Sequence, residues 1–538
     1  MHARWRRCRR SKGDPACRRS GVLPSHAPRD ARDGDPQGRH LLTFDVHQLD
    51  TFLLIGAGVT FLAVLAVRMS SGVGLPSLLV YLLMGVALGE SGLGIGFEDA
   101  QLAHAVGFGA LAIILAEGGL TTSWTDARPA MRMGLSLATV GVLVSIAVVA
   151  VGAHFLLGLS WQLSILLGAV CSPTDAAAVF SVLRVVPLPK RITGTLEAES
   201  GLNDAPTVVL VTLVSSGAVG EHGLLGTTGI VVYELVAGVA FGLAAGFGGA
   251  WVMRRVALPS SGLYPIAVLC LTLIGYGGAA AAHASGFAAV YVAALVLGNT
   301  ELPHRVATRS FVEGLAWLAQ IGLFVMLGLL LSPGRLSWEV IAMAVVAGSI
   351  LTFVARPLSV VASAVVRPMR WAELAFISWA GLRGAVPIVL ATIPLAEGVD
   401  GATRLFDIVF VLVVLDTLIT APSLPLTARL LRVARRSEPR GIEVEAAPLD
   451  RVAADLLQIT ISPVSKLHGV EVGELRLPLG ANVSMVVREG QTMVPERRTV
   501  LRHGDDLIVV TPRKLREATE QRLRQVSRGG RLAQWLED

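Results

Sequence analysis

From residue 52 to residue 431 the chain alternates long apolar runs with short polar interruptions. Thirteen runs emerge, near 52–69, 75–90, 104–120, 132–157, 163–183, 199–218, 226–253, 262–282, 286–299, 311–332, 338–363, 372–396 and 405–431. Many exceed the roughly 18 residues that cross a bilayer as a helix. The fold expected is an all-α polytopic membrane domain of about 13 spans over residues 50–432. After Arg436 the pattern changes. "RRSEPRGIEVEAAPLD" reads as a polar linker, 433–450. "LLQITISP", "NVSMVVREG" and "DDLIVVTP" then alternate with the period of strands. They predict a small α+β unit over 451–516. The tail, 517–538, starts as a charged amphipathic helix.

Composition supports this division. Only 16% of the 538 residues are charged and 53% are apolar, against about a quarter charged in soluble chains. The net charge of +6 does not signal nucleic acid. Its basic residues cluster in alternate loops, at Arg68, Arg128, Arg132, Arg184, Lys190, Arg191, Arg254, Arg255, Arg305, Arg309, Arg356, Arg367 and Arg370. The other loops carry Glu90, Glu98, Asp99, Glu221 and Glu397. By the positive-inside rule the C-terminal unit is cytoplasmic and the N-terminus outside. A basic extension, 1–45, conflicts with that orientation. It lacks the apolar core of a signal peptide. It is expected to be disordered and to lie upstream of a true start near Leu42 or Val46. Cys171 and Cys270 fall in apolar segments, and Cys8 and Cys17 in the extension, so no disulfide framework is expected.

Charge inside a span is costly, so such residues line pathways or pair with one another. Three stretches concentrate them. In "CSPTDAAAVFSVLR", Pro173 removes an amide donor beside Thr174 and Asp175. It predicts a broken fifth span whose carbonyls, with the Thr174 hydroxyl, coordinate a cation. A simple kink is the alternative. In "LEAESGLNDAP", Glu199 and Asn203 are i,i+4, as are Ser200 and Asp204. They form a polar side of the sixth span, or else cap its start at the headgroups. In "WAGLRGAVPIVL", Arg383 sits among Gly381, Gly384 and Pro387 in the twelfth span and needs a buried anion, Glu199 or Asp204. Pro173 and Pro387 lie seven spans apart. Two matching helix breaks are the mark of inverted-repeat transporters, here spans 1–6 against 8–13.

These three motifs, in this order, resemble those of the cation:proton antiporter-1 (NhaP-type) family over residues 50–432, with its inverted-repeat fold and two interrupted crossing helices. "PTDAAAVFS", "AESGLND" and "GLRGAVPI" most resemble the bacterial cell-volume-regulation potassium:proton antiporters. "LHGVEVGELRLP" and "VPERRTVLRHGDDLIVV" resemble the TrkA-C (RCK-C) domain those proteins carry. The resemblance implies that Asp204 binds cation and proton alternately. Asp175, Thr174 and Ser200 complete the cation site, and Asn203 supports it. Glu199 and Arg383 form a buried ion pair holding span six to span twelve, so removing Arg383 is expected to strand Glu199. The Asn-Asp motif resembles the electroneutral members. Homodimerisation and a small-ligand regulator at the C-terminal domain are implied as well. The Ser172 position, between Cys171 and Pro173, and the basic extension depart from the family pattern.

The function expected is electroneutral exchange of K⁺ for H⁺, with Na⁺/H⁺ exchange the alternative. No enzyme activity or cofactor is expected. A K⁺ channel is a weaker reading, because "LIGYGG" at 273–278 lies inside a long apolar run and reads as close helix packing. A solute symporter would need a larger polar pocket. No lysine follows a phosphate-loop glycine pattern, which excludes a P-loop pump in this chain. His283 reads as a surface residue. Glu117 and Asp416 read as intramembrane carboxylates without a clear partner. Arg429, Arg432, Arg435 and Arg436 anchor the last span at the inner leaflet.

Overall fold

The computed structural model describes residues 46–538 except 74–76, 91, 98, 176–177, 180–181, 183–185, 187, 435–441, 450–453, 531–532 and 534–538. The basic extension, with Cys8 and Cys17, lies outside the described residues, as do Arg184, Arg435 and Arg436. Each of the thirteen apolar runs holds a helix or a broken helix. They are α1 Val46–Val73, α2 Ser77–Leu88, α3 Ala100–Thr121, α4 Met131–Leu157, α5 Trp161–Cys171, α6 Lys190–Ser215 and α7 Leu225–Arg255. There follow α8 Leu263–Ala281, α9 Gly286–Asn299, α10 Arg305–Leu330, α11 Trp338–Ser363, the pair α12 Trp371–Trp379 and α13 Ala385–Ala396, and α14 Ala402–Leu430. Among the described residues, seven helices are long and apolar enough to cross a membrane on their own.

Local chemistry sets several ends. Asp99 caps α3 by accepting the Leu102 amide at 2.9 Å, and Ser337 caps α11 through the Val340 amide at 3.3 Å. Gly158, at φ 67°, closes α4 in the left-handed conformation that glycine adopts cheaply. Both α4 and α11 contain a π-helical segment, Leu137–Gly141 and Ile350–Ala355. An extra residue in a turn rotates the remainder of the helix by about 100°. The segment in α11 immediately precedes Arg356, which is 3% exposed. Arg356 is therefore not a loop arginine, as the positive-inside count has it, but a buried charge inside a span.

The helices pack as two groups. In one, α2, α3 and α7–α10 contact each other; in the other, α4–α6 and α11–α14 do. Small residues permit the close approach. A Cβ on Gly134 of α4 would collide with Ala198 of α6, and one on Gly275, within "LIGYGG", would sit 3.1 Å from Ala245. That stretch is helix packing inside α8, as expected. His283, just past α8, is exposed.

The C-terminal unit is an antiparallel sheet in the order β1-β2-β5-β3-β4, formed by Ile442–Leu449, Ala454–Ile461, Asn482–Arg488, Gln491–Met493 and Asp506–Pro512. Two expectations change here. The linker 433–450 contains β1, which pairs residue for residue with β2. The tail begins as helix α15, Arg516–Gly529, whose Leu523 and Val526 enter the same core as Leu457, Ile459, Leu507 and Val509. The alternation in β2 and β5 was legible. β1 was not, because its acidic residues and Pro448 mask the period.

Candidate functional site

The site begins with α6. The apolar run starts at Glu199, but the helix starts nine residues earlier, at Lys190, with Pro189 as its N-cap. Glu199, Asn203 and Asp204 are thus interior residues, 1%, 0% and 7% exposed. The capping alternative fails for that reason. A buried helix middle rich in polar groups must find partners for them.

Two helix breaks supply partners. After Cys171 the backbone is non-helical through Asp175, and Pro173 and Thr174 are buried there. The second break runs from Ala380 to Gly384, between α12 and α13. Pro387 does not make it. That residue sits in the first turn of α13, where a missing amide costs nothing. Glycines make it instead. A Cβ on Gly381 would collide with the Arg356 guanidinium, and one on Gly384 with the Asp175 carboxylate. The breaks are joined at their crossing, where the Asp175 amide donates to the Leu382 carbonyl at 2.8 Å. Asn203 ties α6 to the first break by donating through Nδ2 to Thr174 Oγ1 at 3.1 Å. The Asp175 carboxylate in turn accepts the Ala178 amide at 3.2 Å.

The buried ion pairs differ from the expected one. Glu199 does not pair with Arg383. Arg356 of α11 grips it at both oxygens, Nη1 to Oε1 and Nη2 to Oε2, the latter at 2.9 Å. Arg383 instead faces Asp416 of α14 at 3.7 Å and donates through Nε to the Cys171 carbonyl at 3.4 Å. The physical reason is geometry. The π segment of α11 brings Arg356 to Glu199, while Arg383 points from the second break toward the end of α5. Asp416 therefore has a partner, contrary to expectation, and it also accepts from Thr352 and Thr420 at 3.2 and 3.4 Å. The sequence held a signal for Arg356: a charge inside the run 338–363 needs a buried partner. It held none for which anion that would be.

A cavity of about 580 Å³ opens onto these residues from the boundary of the two helix groups. One group contributes Glu117, Tyr291 and Gln320; the other contributes Thr174, Asp175, Glu197, Ser200, Asp204 and Ala385. All the residues expected to bind cation line it except Asn203, which lies fully buried behind Thr174. Glu117 thus belongs to the cavity, a placement the sequence left open. Tyr291 went unnoticed, yet its ring fills the space that a side chain at Gly201 would need. Asp204 Oδ1 is sealed and has no hydrogen-bond partner among the described residues. The cavity end therefore offers carboxylate and hydroxyl oxygens. Such hard oxygens suit a desolvated alkali cation, and either carboxylate can take a proton instead.

Comparison with known proteins identifies the family. Residues 58–430 match the transmembrane sodium/hydrogen exchanger family, and residues 456–524 match the TrkA-C domain. The K(+)/H(+) antiporter NhaP2 of Shewanella oneidensis is 36% identical over 488 residues, 88% of this chain and 83% of that protein. The K(+)/H(+) antiporter NhaP of Alkalimonas amylolytica is 35% identical over 86% of this chain and 81% of its own. The Na(+)/H(+) antiporter NhaP of Pseudomonas aeruginosa is 31% identical over 60% of this chain and 80% of its own. The sodium proton antiporter MjNhaP1 of Methanocaldococcus jannaschii shares the fold, with a TM-score of 0.60 at 20% identity over 70% of this chain and 99% of that one. The chain belongs to the sodium/hydrogen exchanger family of cation:proton antiporters and carries a C-terminal TrkA-C domain.

Proposed function

We propose that this chain exchanges one K⁺ for one H⁺ across the bacterial inner membrane, and that Asp204 is where the two compete. One observation carries the reading. Among the described residues of this helix group, the two buried arginines, Arg356 and Arg383, are matched by Glu199 and Asp416. Asp204 faces the cavity with no arginine partner among the described residues. A buried carboxylate without a counter-ion is costly, and either a proton or a cation removes the cost. Only the two loaded forms then cross cheaply, which couples the fluxes. Thr174, Asp175 and Ser200 supply further oxygens for the cation, and Asn203 holds Thr174 in place. Charge balance with one competing carboxylate makes the cycle electroneutral.

K⁺ is favoured because the relatives that match most of this chain are named K(+)/H(+) antiporters. Na⁺ is the second reading, on the Pseudomonas relative. The arginine distribution favours an outside N-terminus and a cytoplasmic TrkA-C domain. We take the working unit to be a homodimer and the TrkA-C domain to answer to a small ligand.

The test uses purified protein in proteoliposomes with a trapped pH dye and the voltage clamped by an ionophore. K⁺ added against a pH gradient is expected to drive proton movement that survives the clamp. Na⁺ and Li⁺, added in turn, rank the ions. Asp204→Asn is expected to fold and to lose exchange. Wild-type flux in that variant would remove Asp204 from the role, and cation flux without proton counterflow would indicate a channel.

A further inference from the structure

The second helix break is held from α14, a helix that does not line the cavity. Arg383 is pinned there at three points. Its carbonyl accepts the Thr417 hydroxyl at 3.3 Å. Its guanidinium faces Asp416 Oδ1 at 3.7 Å, and its Nε reaches the last carbonyl of α5, that of Cys171, at 3.4 Å. Asp416 is itself steadied by the hydroxyls of Thr352 and Thr420. The residues flanking Arg383 fix Asp175. Leu382 accepts its amide at 2.8 Å, and Gly384 leaves the space its carboxylate occupies. An unwound segment has no helical ladder to hold it, so its position depends on such outside bonds.

We propose that Asp416 and Thr417 are positioning residues for cation binding. They act through Arg383 on the backbone that places Asp175, and they touch neither ion. This rests on the reading that Asp175 and Asp204 form the exchange site. The buried pair Glu199–Arg356 joins α6 to α11 and packs against Gly381, at the other end of the break from Asp175. Loosening the α14 clamp lets the Leu382–Gly384 segment shift. The cation, which needs several oxygens at fixed separation, then loses affinity more than the proton, which needs one.

The experiment measures K⁺-driven proton exchange against K⁺ concentration in proteoliposomes, with the amount of folded protein set by size-exclusion chromatography. Thr417→Val removes one hydrogen bond and is expected to raise KM for K⁺ about three- to tenfold, with the maximal rate kept within about twofold. Thr417→Ser is expected to restore KM. Asp416→Asn is expected to raise KM at least as much. Asp407→Asn is the control: this buried carboxylate of the same helix serves Arg335 and not the break. It should leave KM unchanged. An unchanged KM in both Thr417→Val and Asp416→Asn overturns the proposal. So does a fall in maximal rate alone, or a rise in KM shared by Asp407→Asn. Should Asp416→Asn not fold, the Thr417 pair decides alone. If Asp204→Asn still exchanges, the reading of the site fails instead. If Asp204→Asn is inactive while Thr417→Val and Asp416→Asn both behave as wild type, only this inference fails.

Discussion

Glu199 and Arg356 meet with both residues nearly sealed from solvent, at 1% and 3% exposure. Such a pair adds little net stability compared with an apolar one, but cutting it in half is expensive. Arg356→Met is expected to cost about 3–5 kcal/mol, because it leaves a buried carboxylate without its partner. The double variant Glu199→Gln, Arg356→Met should recover most of that loss. Thermal size-exclusion profiles in detergent check both. A single variant as stable as wild type would mean that the pair does not hold α6 to α11. Sequence reasoning found the need for a cation beside Glu199 and chose the wrong one. Arg383 looked suitable because it sits among glycines in a motif, whereas Arg356 looked like a loop charge beside Pro357. Which arginine reaches which acid depends on a one-residue phase change in α11, and hydropathy does not record phase.

At the scale of elements, the spans themselves were legible because crossing a bilayer imposes length and apolarity together. The α6 start was not. Its first nine residues mix polar side chains with Ile192, Leu196 and Ala198, which are buried in the core, so no apolar run marks them. The second break was legible in place but not in cause: proline drew the eye, and glycine makes the break through lack of volume. That difference can be tested. A methyl group at Gly384 would occupy the position of the Asp175 carboxylate, so it must displace either that side chain or the break. Gly384→Ala is expected to lower exchange efficiency, kcat/KM for K⁺, by about tenfold or more, since small displacements of a binding group are costly. Gly348→Ala is the matched control, since its methyl would find only ordinary contact with Leu412 at 3.5 Å. Equal activity in the two variants would show that the crossing tolerates a side chain.

Across the whole molecule, the membrane domain and the sheet domain obey different rules for charge. In the first, the buried arginines Arg356 and Arg383 sit where a helix is bulged or broken, and the acids they face lie inside the regular helices α6 and α14. In the second, one buried carboxylate closes the sheet end. Asp505 lies just before β5 and is fully buried; Arg488 of β3 donates to both of its oxygens, at 2.8 and 2.7 Å, and the Arg502 amide donates at 2.8 Å. Burial alone would raise the Asp505 carboxyl, but these bonds outweigh it and hold the group below the usual carboxylate range. A depressed folded value means that the charged form favours folding. Its contribution is complete above the unfolded value, about 3.9, and is lost as the pH falls through the lower, folded value. Hydrogen exchange of the β5 amides in the full-length protein, corrected for the intrinsic rate at each pH, should therefore show constant protection from pH 7 to about 5. Protection should fall below about pH 4. Asp505→Asn should lower protection at pH 7 and flatten the acid step, because the amide neither titrates nor draws both Arg488 nitrogens. An acid step of wild-type size in Asp505→Asn would place the titrating anchor of this domain elsewhere. Asp455, also buried, facing Arg513 and Arg516 from β2, would then be the next to replace.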